Sequence, residues 1–170
     1  MTRKLSSAPV TRLVGGCVLA LAASSGTYAA DVVRYSLPNN FPIARAVEVP
    51  AGKTIIFHSG TTPKPADPKA TPGSPEYWGD TKTQTLSVLN NIKESLTSMK
   101  AGMGDVVAMT VYLVGDPAKG GKMDFAGMMA AYTQFFGTKE QPNLPARSTV
   151  QVVSLAQDGM LVEIEVQLVK

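Results

Sequence analysis

Three charged side chains near the C-terminus have the types and spacing needed for chemistry on a small carboxylate. Arg147 stands near the start of an extended apolar run, and Glu163 and Glu165 alternate with apolar residues in the last run. Period-2 alternation places both glutamates on one face of a half-buried strand. A guanidinium binds a carboxylate through two parallel hydrogen bonds, and a carboxylate in a cleft can orient or deprotonate water. The residues alone leave two interpretations open: a ligand site, or an arginine paired with a glutamate across a hairpin.

The other reactive residue types are scarce. His58 is the only histidine, and we interpret it as a structural residue of an apolar strand rather than as a base beside Ser59. The single cysteine is Cys17, so residues 31–170 have no thiolate nucleophile, disulfide or cysteine-ligated metal. The sequence shows no metal-ligand spacing and predicts no metal and no cofactor.

The first 30 residues have the pattern of a secretory signal peptide. Three basic residues, with no acidic residue before Asp31, surround the start of an apolar run at residues 13–23. This run is about half of what a bilayer crossing needs, and small residues follow it at a plausible cleavage site after Ala29 or Ala30. The pattern predicts export to a bacterial periplasm, with no stable membrane anchor after cleavage.

Cleavage at this site would also change the charge of the protein. The full chain has 16 basic and 13 acidic residues, and removing Arg3, Lys4 and Arg12 leaves 13 of each. A nearly neutral protein lacks the electrostatic footprint of nucleic-acid binding. The remaining chain, residues 31–170, is about the size of one domain with its own core.

The elements that must position these residues follow from hydrophobic periodicity and turn signals. Residues 61–79 contain five prolines, which predict a long surface loop that partly covers the pocket. Strands, helix, strand, helix and strands in this order predict an α+β domain, a mixed sheet with two helices on one face. The predicted elements are a strand at 32–36, a hairpin of 46–49 with 54–58, a helix from 81, a central strand at 106–114, a helix from 124 and a terminal hairpin ending at 170.

Four segments resemble, in the same order, the RidA (YjgF) family of reactive-intermediate imine deaminases. They are Ser59-Gly60 after an apolar strand, TQTLSVLNNI at 83–92, DVVAMTVY at 105–112, and PARSTV at 145–150 followed by VEIEV at 162–166. The resemblance covers residues 41–169. It implies a chorismate-mutase-like fold that assembles as a homotrimer, with sites in the clefts between subunits.

The resemblance also implies an activity: the cofactor-independent hydrolysis of 2-imino and enamine acids, such as 2-iminopropanoate and 2-iminobutanoate, to 2-oxo acids and ammonia. Arg147 matches the arginine that binds the substrate carboxylate, and Glu163 matches the glutamate that handles water. The partner is then a small 2-imino or 2-oxo carboxylic acid. The predicted substrate-binding residues are Ile43, Ser59, Gly60, Arg147 and Ser148.

Four positions depart from the family pattern. Ile43 stands where a tyrosine is common, Thr61 where a glutamine is common, Met129 where an asparagine is common and Thr149 where a cysteine is common. Together they predict a less polar pocket. The competing hypothesis is therefore a non-catalytic trimer that binds a small carboxylate metabolite or a partner protein in the periplasm.

Overall fold

A mixed sheet with helices on one face forms the core of the protein. The computed structural model describes residues 31–170, so the predicted signal peptide lies outside the described residues. The predicted α+β architecture is confirmed. Its elements are β1 (Val33–Ser36), β2 (Ala44–Glu48), β3 (Ile55–Thr61), α1 (Pro75–Trp78), α2 (Thr81–Ser98), β4 (Val106–Val114), α3 (Phe125–Tyr132), β5 (Ala146–Val152) and β6 (Val162–Val169).

The strands form one six-stranded sheet in the order β1-β2-β5-β4-β6-β3. Strand β5 is parallel to both of its neighbours, β2 and β4, while the other pairs are antiparallel. Strand β4 lies inside the sheet between β5 and β6, which confirms the prediction that this nearly unbroken apolar run is central.

The two faces of the sheet differ in what covers them. On the helical face, Leu89 and Ile92 of α2 and Met128 of α3 pack fully buried against Val111 and Ile164. The opposite face, here the open face, carries polar side chains together with exposed apolar ones. Among the latter, Ile55, Phe57 and Val150 have 49%, 75% and 43% of their surface exposed.

Both predicted hairpins are wrong, because the sequence pattern locates a strand but not its partner. Strand β2 pairs with β1 and β5, whereas β3 pairs with β6 at the far edge of the sheet. At the C-terminal end, β4 lies between β5 and β6. Neighbouring strands are about 4.8 Å apart, so the connection at residues 153–161 is long enough to pass across β4.

The proline-rich segment is more ordered than the predicted loop. It contains α1, in which Pro75 occupies the first turn. Backbone N–H groups in the first turn have no partner within the helix, so the lack of an N–H in proline costs no hydrogen bond there. Ser74 caps this helix by accepting from Tyr77 N. Trp78 is 3% exposed and its Nε1 donates to Asp158 O at 2.8 Å, so it fastens the segment to the turn before β6. None of the described helices is long and apolar enough to cross a bilayer.

Candidate active site

Arg147 lies on the helical face of the sheet. It is the second residue of β5, directly after the buried Pro145 and the half-buried Ala146. In the parallel pairing with β4 it stands beside Met109, which is 3% exposed and belongs to the core. Paired residues of neighbouring strands project to the same face, so the guanidinium points towards α3 rather than towards solvent.

Aromatic rings and one thioether surround the guanidinium. The Cζ atom of Arg147 is 4.3 Å from the centroid of the Tyr132 ring and 5.9 Å from the centroids of both Phe41 and Phe125. Its Nη2 donates to Met129 Sδ at 3.1 Å. Phe41 and Phe125 stack on one another with centroids 6.4 Å apart. Each ring face attracts the cation, so this group, here the Arg147 cage, holds the guanidinium in one place.

The charge in this cage has no carboxylate partner. Within residues 31–170 the one salt bridge joins Lys64 and Glu94 on the surface, and Arg147 Nη1 is buried without a hydrogen-bond partner. The ion pair with a glutamate that the sequence left open is therefore wrong. A buried donor without a partner costs free energy, which an anionic ligand would recover.

Burial shifts the pKa values of both polar members of the cage, Arg147 and Tyr132. Desolvation lowers the pKa of Arg147, and the neighbouring Tyr132 partly offsets that effect. Desolvation also raises the pKa of Tyr132 to about 12, while the positive charge of Arg147 acts in the opposite direction. The phenol is therefore neutral at physiological pH. Its hydroxyl oxygen is buried without a hydrogen-bond partner.

Helix α3 carries three members of the cage, Phe125, Met129 and Tyr132. Asp124 caps its N-terminus by accepting from Gly127 N at 3.0 Å. Met129 and Tyr132 are three residues apart, so they share one side of the helix. The Tyr132 ring also stacks on Phe136 with centroids 5.0 Å apart, which fixes it beneath the guanidinium.

Glu163 lies on the open face, away from Arg147. It alternates along β6 with the buried Val162 and Ile164 and stands opposite Tyr112 of β4. Its carboxylate packs directly over Gly60 of β3, where a Cβ atom would collide with Glu163 Oε1. Ser59 and Gly60 thus lie within β3 rather than after it, at an irregularity in the pairing between His58 and Thr61.

The second glutamate of the strand already has a partner. Glu165 accepts a hydrogen bond from the Tyr112 hydroxyl at 3.0 Å, and this bond raises the pKa of Tyr112. Glu163 and Glu165 share a face, as the alternation predicted. Since Glu165 is held by Tyr112, Glu163 is the glutamate that remains available beside Gly60.

A cavity of about 600 Å³ connects four of the predicted site residues. Ile43, Ser59, Arg147 and Ser148 line it, together with Glu165, while Gly60 and Glu163 are not among its lining residues. In a single protomer, Arg147 and Glu163 lie on opposite faces of the sheet. The cavity therefore brings Ile43, Ser59 and Ser148 together, whereas the Arg147 guanidinium lies against Tyr132 on the helical face and Glu163 lies apart from it on the open face.

His58 is a satisfied structural residue, as interpreted from the sequence. Its Nδ1 lies 2.9 Å from Ser59 O, and because a carbonyl can only accept, this nitrogen carries the proton. Its Nε2 then accepts from Ser95 Oγ at 2.9 Å. Residues 31–170 contain no cluster of three or more side chains able to hold a metal ion.

Sequence reasoning missed the cage. Phe125, Met129 and Tyr132 fit the apolar stripe of a core helix, and Phe41 lies in a loop, so the pattern gave none of them a functional role. The available signal was Met129 itself, a departure from the resembled family. The sequence does not show that Met129 contacts Arg147, because that contact exists only in the folded protein.

Comparison with known proteins identifies the family of the chain. A family model described as Endoribonuclease L-PSP matches residues 38–169. A RutC family protein of Pyrococcus horikoshii is 39% identical over 124 residues, which cover 73% of this chain and 83% of that protein. The Escherichia coli protein named "Putative reactive intermediate deaminase TdcF" is 32% identical over 112 residues, covering 66% of this chain and 76% of TdcF.

Solved structures share the fold. The Rid-family protein YyfB of Yersinia pestis superposes with a TM-score of 0.59 at 26% identity, covering 79% of this chain and 96% of YyfB. E. coli TdcF with bound serine superposes with a TM-score of 0.54 at 28% identity, covering 81% of this chain and 99% of TdcF. The chain therefore belongs to the Endoribonuclease L-PSP family, the family of the RidA (YjgF) proteins.

Proposed function

We propose that this protein hydrolyses 2-imino and enamine acids to 2-oxo acids and ammonia without a cofactor, with Arg147 binding the substrate carboxylate. The observation that carries the proposal is the buried guanidinium with a free donor and no carboxylate partner. The name of the relative TdcF and its structure with bound serine support a small amino-acid-like ligand.

The reaction places a simple demand on the site. Water adds to the C2 carbon of the C=N bond, and the resulting tetrahedral intermediate expels ammonia to leave the 2-oxo acid. Arg147 fixes the carboxylate and thereby orients C2. Glu163 passes the first proton of the attacking water to the imine nitrogen, and then passes the hydroxyl proton of the tetrahedral intermediate to the amine as ammonia leaves, so one carboxylate serves both transfers.

Arg147 and Glu163 must then come from different copies of the chain. In one protomer they lie on opposite faces of the sheet, so we propose a homotrimer with each site shared between two subunits. The exposed apolar side chains Ile55, Phe57 and Val150 on the open face support such an association. We place Arg147 on one side of the shared site, and Gly60 and Glu163 on the other, while Ile43, Ser59 and Ser148 line the cavity of a single protomer.

We also propose that the protein is exported, on the basis of residues 1–30. Cell fractionation tests this directly: periplasmic protein that begins near Asp31 supports it, and protein of full length in the cytoplasm contradicts it.

The decisive test of the activity compares imine hydrolysis by the wild-type protein with imine hydrolysis by the Arg147→Ala variant. An amino-acid oxidase generates the imine, semicarbazide traps what survives, and the protein is purified after expression of the full-length chain. We expect Arg147→Ala to lower kcat/KM by at least about 100-fold, since it removes two charge-assisted hydrogen bonds. The exposed Lys93→Ala variant on α2 is the charge-matched control and should retain wild-type rates.

The same assay addresses the second candidate function, a trimer that binds a carboxylate metabolite or a partner protein without turnover. The apolar replacements Ile43 and Met129 favour it, because they leave fewer groups to orient a substrate. A wild-type rate equal to the blank, combined with calorimetric binding of a 2-oxo acid that Arg147→Ala abolishes, would replace the deaminase by this binding protein.

A further inference from the structure

The side chain of the ligand would lie among the residues of the Arg147 cage. In a bidentate pair the carboxylate carbon lies about 4 Å from the arginine Cζ, and each further carbon of the ligand lies about one 1.5 Å bond beyond it. The ligand side chain, which begins at C3, therefore starts about 6 to 7 Å from Cζ, close to the distance at which the ring centroids of Phe41 and Phe125 lie, 5.9 Å from Cζ.

That part of the cage offers little to a polar side chain. Besides the guanidinium, its groups are three rings and the thioether of Met129, with one phenol hydroxyl at Tyr132. A hydroxyl or carboxylate on the ligand side chain would lose its hydration there and gain few hydrogen bonds. An aliphatic, thioether or aromatic side chain would gain burial instead.

Met129 holds a particular place in this cage. Its sulfur is 3.1 Å from Arg147 Nη2, so it contacts the N–H edge of the guanidinium, which is the edge that a carboxylate would use. A thioether is a weak acceptor, so a carboxylate replaces it readily. The flexible side chain can then repack against the ligand, whereas a short amide at this position would offer hydrogen bonds to a small polar one.

We propose that Met129 makes this a site for 2-imino acids with large apolar side chains, in preference to the alanine-derived 2-iminopropanoate. The proposal rests on the deaminase function above. The geometry assigns Met129 as a specificity-determining residue, with Phe41 and Phe125 as the aromatic wall.

The test compares kcat/KM for imines generated from leucine, methionine and phenylalanine with that for the imine generated from alanine. We expect at least about a tenfold preference for the larger substrates. Met129→Asn should reduce this ratio by at least about tenfold. Met129→Leu keeps an apolar side chain of similar volume and should keep the ratio.

The outcomes separate this inference from the function on which it rests. Turnover of all substrates with no preference, or with a preference for 2-iminopropanoate, would overturn the assignment and leave the deaminase intact. Equal loss of the ratio in Met129→Asn and Met129→Leu would also overturn it, because polarity would then not be the cause. Absence of turnover with every substrate would overturn the proposed function itself.

Discussion

At the scale of single residues, the site depends on what surrounds each charge. Arg147 can bind an anion because the side chains of its cage are all apolar or neutral. Tyr132 stays a neutral phenol because its pKa is raised to about 12. The position of the Glu163 carboxylate depends instead on the neighbouring backbone, which carries no side chain at that point. Gly60 provides the room, since its missing side chain lets the carboxylate lie directly on β3.

Gly60→Ala tests whether that contact matters for function. The added Cβ meets only the end of the flexible Glu163 side chain, and Gly60 has no positive φ that would strain an alanine. We therefore expect the free energy of unfolding to change by less than about 1 kcal/mol, while the displaced carboxylate lowers kcat by at least about tenfold. Urea unfolding and the imine assay measure the two effects.

The matched control is Gly102→Ala. Its added Cβ meets no atom within 4 Å, and its φ of −135° suits any residue, so both activity and stability should stay at wild-type values. Full activity in Gly60→Ala would show that the position of the Glu163 carboxylate is not critical and would remove Glu163 from the mechanism.

At the scale of elements, α2 and the turn before β6 are joined by one buried amide. Gln84 is 0% exposed. Its Nε2 donates to Gly79 O and Gly159 O, both at 3.0 Å, and its Oε1 accepts from Leu161 N at 2.7 Å. The hydrogen-bonding capacity of this side chain is thus almost fully used, and it connects two segments that are distant in sequence, residues 79–84 and 159–161.

We expect Gln84→Ala to lower the free energy of unfolding by about 3 kcal/mol, because it leaves a cavity and unpaired backbone groups. Gln134→Ala serves as the control: this glutamine is exposed and bonds only to Ala130 O in the preceding turn, so its cost should stay below about 0.5 kcal/mol. Both are measured by urea unfolding at one fixed protein concentration. Similar costs for the two variants would mean that Gln84 is not a structural link.

The elements also show what sequence patterns determine. Alternation along β6 predicted the shared face of Glu163 and Glu165, because side-chain direction is a local property of a strand. The partner of each strand is not local, and so both predicted hairpins were wrong. The Arg147 cage could not be predicted for the same reason: Phe41, Phe125 and Arg147 are far apart in the chain and come into contact only in the folded protein.

At the scale of the whole molecule, the proposed trimer makes a prediction that a monomeric enzyme cannot meet. Arg147→Ala and Glu163→Ala are each expected to be inactive, but a mixed trimer contains one site built from the intact residue of each. Random mixing at equal amounts makes about three quarters of the trimers mixed, each with one intact site of three. Co-expression of the two variants should therefore restore about a quarter of the wild-type activity.

Sedimentation of the co-expressed protein, set against each variant alone, checks that the oligomer is the same in all samples. A monomer mass for the wild-type protein would disprove the shared site. So would a trimer in which co-expression restores nothing, because Arg147 and Glu163 would then have to act within one chain.

The placement of Arg147 and Glu163 on opposite sides of a single sheet has a consequence for how the protein behaves on dilution. With the proposed shared site, no isolated chain would carry a complete reaction centre, so catalysis would begin only with assembly. Below the dissociation constant of the oligomer, the rate per chain would fall with concentration rather than stay constant, and a cell would control this activity through the amount of protein present, with no separate regulator.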